Sequence, residues 1–117
     1  MRQLVRGICE VHGIPYEVSY KTTCPVTFNE SKQTESATKA AMTLLGEENS
    51  NGDCESRLFS EDFSIMSAAK PGCFVLMGNG TTGSHSKPLH ASNYDFNDEL
   101  LVIGSSYWAA LAEQQLK

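Results

Sequence analysis

The apolar residues of four segments recur at helical spacing, which predicts four helices. In chain order, these positions are Leu4, Val5, Ile8 and Val11; Ala37, Ala40, Ala41, Leu44 and Leu45; Phe63 and Met66; and Leu100, Ile103, Tyr107 and Leu111. Gly13 and Gly46 are predicted to end the first two helices, and Ser31 to cap the second. The last helix is predicted to run from Glu99 to about Gln115. It carries an adjacent second apolar stripe, so we expect it to lie flat on a sheet.

Two further segments have the pattern of β-strands. Residues 14–20 alternate apolar and polar side chains, which is typical of a strand with one buried face. Residues 73–77 form a continuous apolar run, which indicates a strand buried on both faces. Two strands separated by about fifty residues of sequence do not make a complete sheet. The pattern therefore predicts an α/β protein in which this chain is either the tail of something larger or a subunit that needs others.

Composition narrows the function classes. The chain has 117 residues and a mass of 12.8 kDa, which suits one domain with a folded surface of roughly 6,300 Å² against roughly 18,600 Å² unfolded. The net charge of −5 argues against nucleic-acid binding. No apolar run is long enough for a membrane span, and the N-terminus lacks the pattern of a signal peptide. We therefore expect a cytoplasmic protein whose four cysteines are reduced thiols.

Few residues stand out as candidates for a catalytic or metal-binding role when each is considered singly. His12 falls at a predicted helix end and His85 in a polar loop, so a surface role is favoured for both. His90 follows the apolar 73–77 run and a flexible loop, a position that α/β proteins use for ligand sites, but one histidine is only one ligand. Glu61 and Asp62 are either a carboxylate pair or, as we favour, acids at a helix start.

Four blocks of sequence, taken together, resemble a family of metallohydrolases. They are residues 60–63 (Ser-Glu-Asp-Phe), 71–80 (Pro-Gly-Cys-Phe-Val-Leu-Met-Gly-Asn-Gly), 88–90 (Pro-Leu-His) and 94–98 (Tyr-Asp-Phe-Asn-Asp). Their order and intervals are similar to the C-terminal part of the amidohydrolase branch of the metallopeptidases. That branch includes aminoacylases, hippurate hydrolases, indoleacetyl-amino-acid hydrolases and carboxypeptidase G-like enzymes.

The resemblance implies a division of the chain into two parts. Residues 1–29 look like the last helix and strand of an α+β lid and dimerisation domain. Residues 30–117 look like the C-terminal part of a zinc-peptidase-like catalytic domain, which is an α/β fold with a sheet between helices. It also implies a homodimer formed through the lid.

The resemblance further implies a metal site and its chemistry. The family binds two divalent metal ions, usually zinc and sometimes manganese, cobalt or nickel, and the histidine of the Pro-Leu-His block, here His90, is a metal ligand. A hydroxide held by the metals would cleave the amide bond of an N-acyl amino acid or small peptide. The site wall or the surroundings of the ligand would be formed by Glu61, Asp62, Asn79, Gly80, Asp95 and Asn97.

The same resemblance limits what these residues are expected to do alone. The family's other metal ligands and its general-base glutamate belong to segments that precede the lid, and no part of this sequence matches them. One histidine cannot hold a pair of metal ions, so we expect the 117 residues by themselves to lack hydrolase activity. The alternative is a non-catalytic remnant or interaction module that needs a partner chain, which it would meet through an exposed strand edge.

Overall fold

The chain folds into four α-helices joined by long irregular segments. The structure is a computed structural model that describes all 117 residues. The helices are α1 (Arg2–His12), α2 (Ser31–Leu45), α3 (Phe63–Ala69) and α4 (Glu99–Gln115), with short 3₁₀ turns at Glu47–Asn49 and Gly83–Ser86. The four predicted helices are thus confirmed. None of them combines the length and the apolar character that crossing a membrane requires.

Helix α1 stands apart from the other helices. It ends where the sequence predicts, because Gly13 adopts a left-handed φ of 62° and its N–H donates to the carbonyl of Glu10. Its apolar residues Leu4, Ile8 and Val11 are all exposed, and α1 packs against no other helix. The apolar face that produced the helical pattern therefore has nothing to cover it within these 117 residues.

Helices α2 and α4 form the one packed core. Ala37 and Ala40 of α2 are buried, and their small side chains let α4 approach closely. Tyr107 of α4 lies between the two helices and is only 5% exposed. Its hydroxyl donates to the carbonyl oxygen of Ala37 at 3.4 Å. The Nε2 of Gln114 adds a hydrogen bond of 3.0 Å to the carbonyl of Ser36.

The predicted cap of α2 was wrong by one residue. Glu30 is the N-cap, and its carboxylate accepts a hydrogen bond of 3.1 Å from the backbone N–H of Gln33. Ser31 is the first helical residue instead. A carboxylate at this place satisfies a free N–H and also lies favourably at the positive end of the helix dipole. The predicted end at Gly46 is confirmed, with a φ of 85°.

The predicted sheet is not observed. Residues 14–20 and 73–77 form no strand, and no strand is present anywhere in the chain. A strand exists only when a neighbouring strand satisfies its backbone N–H and carbonyl groups. The two segments do not pair with each other, and no third segment is available to them. The sheet part of the predicted α/β fold therefore finds no support in this structure.

A side chain takes the place of a strand partner at one point. The amide of Asn29 donates from Nδ2 to the carbonyl of Phe74 at 2.9 Å, and its Oδ1 accepts from the N–H of Phe74 at 2.7 Å. The N–H of Glu30 donates to the carbonyl of Gly72 at 2.9 Å. These three bonds join the start of α2 to the 73–77 run, across the predicted boundary between residues 29 and 30.

Much of the chain's apolar surface stays in contact with solvent. The accessible surface is 9809 Å², well above the roughly 6,300 Å² of a compact protein of this mass, and only four residues are buried. The radius of gyration is 19.9 Å, against about 13 Å for a compact domain of this length. On α4 the stripe with Tyr107 faces inward, whereas Leu101 and Trp108 of the second stripe are 60% and 68% exposed. The predicted burial of about two-thirds of the unfolded surface is therefore not reached.

The buried phenol of Tyr107 predicts a stability change at alkaline pH. Burial, and then the nearby Cys73 thiol, raise the pKa of Tyr107 above its usual value. The stabilising contribution of the neutral phenol is fully present below about pH 10 and is lost as pH rises through the higher pKa of the folded state. Denaturant unfolding of the native gene product at a series of alkaline pH values should show this loss, and Tyr107→Phe should remove it. Identical pH profiles for the two proteins would contradict the prediction.

Candidate functional site

The predicted site residues lie mainly in one loop. Residues 78–98, here called the His90 loop, connect the apolar 73–77 run to α4. The loop begins with Gly78, passes through the 3₁₀ turn Gly83–Ser86 and ends at Asp98, the N-cap of α4. Its two ends are therefore attached to the part of the chain that packs with α2.

His90 has an unusual backbone conformation. Its φ is 69°, and no other non-glycine residue of the chain has a positive φ. Hydrogen bonds from Ala91 N–H to the Pro88 carbonyl (3.2 Å) and from Tyr94 N–H to the Ala91 carbonyl (3.0 Å) hold the turns around it. The residue is exposed, and its imidazole makes no hydrogen bond within the chain. A left-handed non-glycine residue is strained, and such strain is concentrated at functional positions.

Asn79 connects both sides of the His90 loop through its side-chain amide. Nδ2 donates to the carbonyl of His85 at 3.0 Å and to the carbonyl of Asp95 at 2.8 Å. Oδ1 accepts from the backbone N–H of Asn97 at 2.9 Å. One half-buried side chain thus makes three hydrogen bonds to three separate backbone groups, and these close the loop at its base.

Gly80 makes this closure possible. Its φ is 143°, in a region that side chains rarely permit. A Cβ added at this position would lie 3.1 Å from the Cβ of His85. Any larger residue would be strained by this φ and would require His85 to shift by a few tenths of an ångström.

Asp95 and Asn97 occupy the far side of the loop. Asp95 uses its backbone carbonyl to accept from Asn79, while its carboxylate Oδ2 lies 3.8 Å from Nδ1 of His85. Asn97 accepts at Oδ1 from the N–H of Glu99 at 3.1 Å, which satisfies a free donor at the start of α4. The structure therefore brings together Asn79, Gly80, Asp95 and Asn97 of the predicted set, in the loop that carries His90. Their role around a metal ligand stays a prediction.

Glu61 and Asp62 lie elsewhere, at the start of α3. The carboxylate of Glu61 accepts from the N–H of Phe63 at 3.4 Å, and Asp62 is the N-cap residue. No hydrogen bond or ion pair joins either acid to the His90 loop. This is the helix-start placement that the sequence analysis favoured, and the assignment of the two acids to a site wall stays a prediction.

His85 lies in the loop where the sequence placed it, in the 3₁₀ turn Gly83–Ser86, but it is only partly exposed to solvent. The residue is half-buried, its carbonyl accepts from Asn79, and its Nδ1 lies 3.3 Å from the carbonyl oxygen of Asp95. Asn29 is a second residue that the sequence analysis missed. Neither has a local sequence signal, because each acts through a partner distant along the chain. His12, by contrast, is exposed in the last turn of α1, as expected.

The chain offers one candidate metal ligand and no full set. No group of three or more histidine, cysteine, aspartate or glutamate side chains is placed to hold a metal ion. All four cysteines are free. Zinc in proteins takes at least three protein ligands. The exposed imidazole of His90 has the right donor chemistry for zinc, and the remaining ligands would have to come from outside these residues.

Comparison with known proteins places the chain among the peptidases. Residues 4–114 match the model of Peptidase family M20/M25/M40, and the chain belongs to this family. Peptidases of this family are generally metal-dependent. The resemblance drawn from the four sequence blocks is therefore confirmed.

Three curated relatives align with most of the chain. The chain is 30% identical to "Hippurate hydrolase" of Campylobacter jejuni over 98% of its length, and 28% identical to "Thermostable carboxypeptidase 2" of Saccharolobus solfataricus over 96%. It is 24% identical to "Probable hydrolase sll0100" of Synechocystis over 86%. The chain spans only 29%, 28% and 26% of these relatives, respectively. No solved structure matches it.

Proposed function

We propose that this chain is the C-terminal part of a dinuclear-metal amidohydrolase that cleaves the amide bond of N-acyl amino acids or small peptides. Its family membership supports a peptidase or amidohydrolase function. A relative named hippurate hydrolase, whose substrate is an N-acylated amino acid, supports the substrate class. The observation that carries the proposal is His90, which is exposed, free of hydrogen bonds and held with a φ of 69° in a closed loop.

Within that enzyme the role of this chain is to supply and orient one ligand. Neutral imidazole is a good zinc ligand, and the fixed turn around His90 limits the directions in which the ring projects. When bound, two divalent metals, with zinc the first choice, would polarise the substrate carbonyl and lower the pKa of a water molecule. The remaining ligands and the general base would come from other segments of the protein.

The two-part division of the chain remains part of the proposal. Residues 1–29 would end the lid and dimerisation domain, and residues 30–117 would belong to the catalytic domain. The separation of α1 from the other helices supports this division. The hydrogen bonds between Asn29 and Phe74 cross the boundary and tie the end of the first part to the second. A homodimer through the lid and a cytoplasmic location belong to the same proposal.

A second candidate function rests on the exposed apolar surface. Leu101 and Trp108 of α4, together with the apolar residues of α1, form faces that packed proteins normally cover. If the native product has only these residues, the faces favour a non-catalytic interaction module that binds a partner chain.

One experiment separates the two candidates. The intact mass of the native gene product from its source cells would be measured, and the same sample would be assayed for hippurate hydrolysis before and after removal and return of zinc. We expect a mass roughly three to four times 12.8 kDa, because the chain spans 29% of its hippurate hydrolase relative. We also expect hydrolysis that a chelator abolishes and zinc restores. A 12.8 kDa product without hydrolysis would overturn the enzyme proposal and leave the interaction module.

A further inference from the structure

We infer that Asn79 is a positioning residue, the side chain that fixes the conformation in which the His90 loop presents its histidine. This inference rests on the proposed metal-ligand role of His90. Within the chain its side chain bonds only to backbone groups of the loop, so in this role it acts through the loop backbone.

The hydrogen bonds of Asn79 reach both sides of the loop. On the side before His90 it binds the carbonyl of His85, and on the side after His90 it binds the carbonyl of Asp95 and the N–H of Asn97. The three distances, 3.0, 2.8 and 2.9 Å, are all within the range of good hydrogen bonds. Closing the base in this way restricts the residues between the two attachment points, and His90 lies near the middle of them.

The backbone of His90 needs this support. A left-handed φ is unfavourable for a residue with a Cβ and persists only where the surrounding structure enforces it. The two turn bonds around His90, to the carbonyls of Pro88 and Ala91, span at most three residues each and do not attach the loop to anything else. Asn79 makes three hydrogen bonds across the base of the loop, and the ring of His85, with Nδ1 3.3 Å from the carbonyl oxygen of Asp95, adds one further contact there. Asn79 therefore supplies most of the longer-range restraint.

The side-chain chemistry of asparagine fits this task. The amide offers two donor hydrogens on Nδ2 and an acceptor on Oδ1, and the structure uses both atoms at once. Alanine would lose all three bonds. Aspartate would keep an acceptor for Asn97 but would place an oxygen against the two carbonyls. Gly80 allows the close approach, since a Cβ there would lie 3.1 Å from the Cβ of His85.

The test uses the native gene product with Asn79→Ala, Asn79→Asp and the control Asn93→Ala. Asn93 is exposed in the same loop and makes no side-chain hydrogen bond. Two quantities are measured for each protein: the zinc affinity, by competition with a chelator, and the hydrogen-exchange protection of the Asn97 amide. His90→Ala is included to establish whether that residue binds the metal.

We expect Asn79→Ala to weaken zinc binding about 10-fold to 100-fold and to remove the protection of the Asn97 amide. Asn79→Asp should weaken zinc binding in the same range while keeping part of that protection, since its acceptor remains. Asn93→Ala should change neither quantity. The split between the two Asn79 variants is a result that general loss of folding would not produce.

Three results would overturn the inference. Unchanged protection of the Asn97 amide in Asn79→Ala would show that the side chain does not hold the loop. Unchanged zinc affinity in Asn79→Ala, when His90→Ala loses zinc, would show that holding the loop does not position the ligand. Unchanged zinc affinity in His90→Ala would overturn the proposed ligand itself, and the positioning role of Asn79 toward a metal with it.

Discussion

Replacing His90 with alanine is expected to weaken zinc binding by the native product at least about 100-fold and to remove hippurate hydrolysis. Loss of a residue that merely supports a metal ligand costs 10-fold to 100-fold in affinity, so loss of the ligand itself should lie at or beyond the upper end. The zinc affinity would be measured by chelator competition and the hydrolysis by release of glycine.

Two control variants separate the imidazole from the backbone at this position. His90→Gly also removes the ring, but glycine accepts the φ of 69° without strain. The protein should therefore lose zinc, while its metal-free form should gain about 1 kcal/mol in unfolding free energy over the metal-free wild type. His12→Ala removes an exposed histidine from α1 and should leave zinc binding unchanged. Zinc binding that survives in His90→Gly would show that position 90 serves the backbone conformation and not the metal.

Truncating Trp108 to alanine is expected to lower the unfolding free energy of the native product by about 3 kcal/mol, although the side chain is 68% exposed here. In the isolated 117-residue chain the same change removes little beyond an edge contact with Tyr107, whose ring centroid is 5.7 Å away. That contact is worth about 1 kcal/mol. The difference between the two measurements reports how much of the outer face of α4 the rest of the protein, or a partner, covers.

Tyr107→Ala is the matched comparison, because Tyr107 is the neighbouring aromatic residue and is buried at 5% exposure. It should cost about 3 kcal/mol or more in the native product and in any shorter chain that unfolds cooperatively. Denaturant titration measures the loss of unfolding free energy for both variants, each in the native product and in the 117-residue chain. A cost near 1 kcal/mol for Trp108→Ala in the native product would mean that the outer face of α4 faces solvent there too.

The helices were predictable because their signals are local. The left-handed Gly13 ends α1, and the spacing of Ala37 and Ala40 predicts the inward face of α2. The strand segments were not predictable in this way, because residues 14–20 and 73–77 depend on hydrogen bonds to other segments. The cap of α2 was misplaced because Glu30 and Ser31 both have side chains that accept hydrogen bonds, and the choice between them depends on backbone angles.

The members of the candidate site were predictable from their residue types and their order along the chain. The Pro-Leu-His block picked out His90, and the neighbouring blocks picked out Asn79, Asp95 and Asn97, which the structure gathers in one loop. The hydrogen bonds that connect them were not predictable, because Asn79 reaches 16 and 18 residues along the chain to backbone groups that any residue possesses. The role of His85 was not predictable for the same reason, because its backbone carbonyl, not its ring, accepts the hydrogen bond from Asn79.

The closure of the His90 loop also bears on the chemical ageing of the protein. Asparagine followed by glycine deamidates readily. The unhindered backbone nitrogen of glycine attacks the side-chain amide carbon, and ammonia leaves. The chain has two such pairs, Asn51-Gly52 and Asn79-Gly80. Asn51 is exposed, whereas Asn79 is half-buried with its amide held by three hydrogen bonds. We therefore expect the bonds that shape the loop to hold Asn79 back from the rearrangement that would turn it into aspartate, so that Asn51 is converted first.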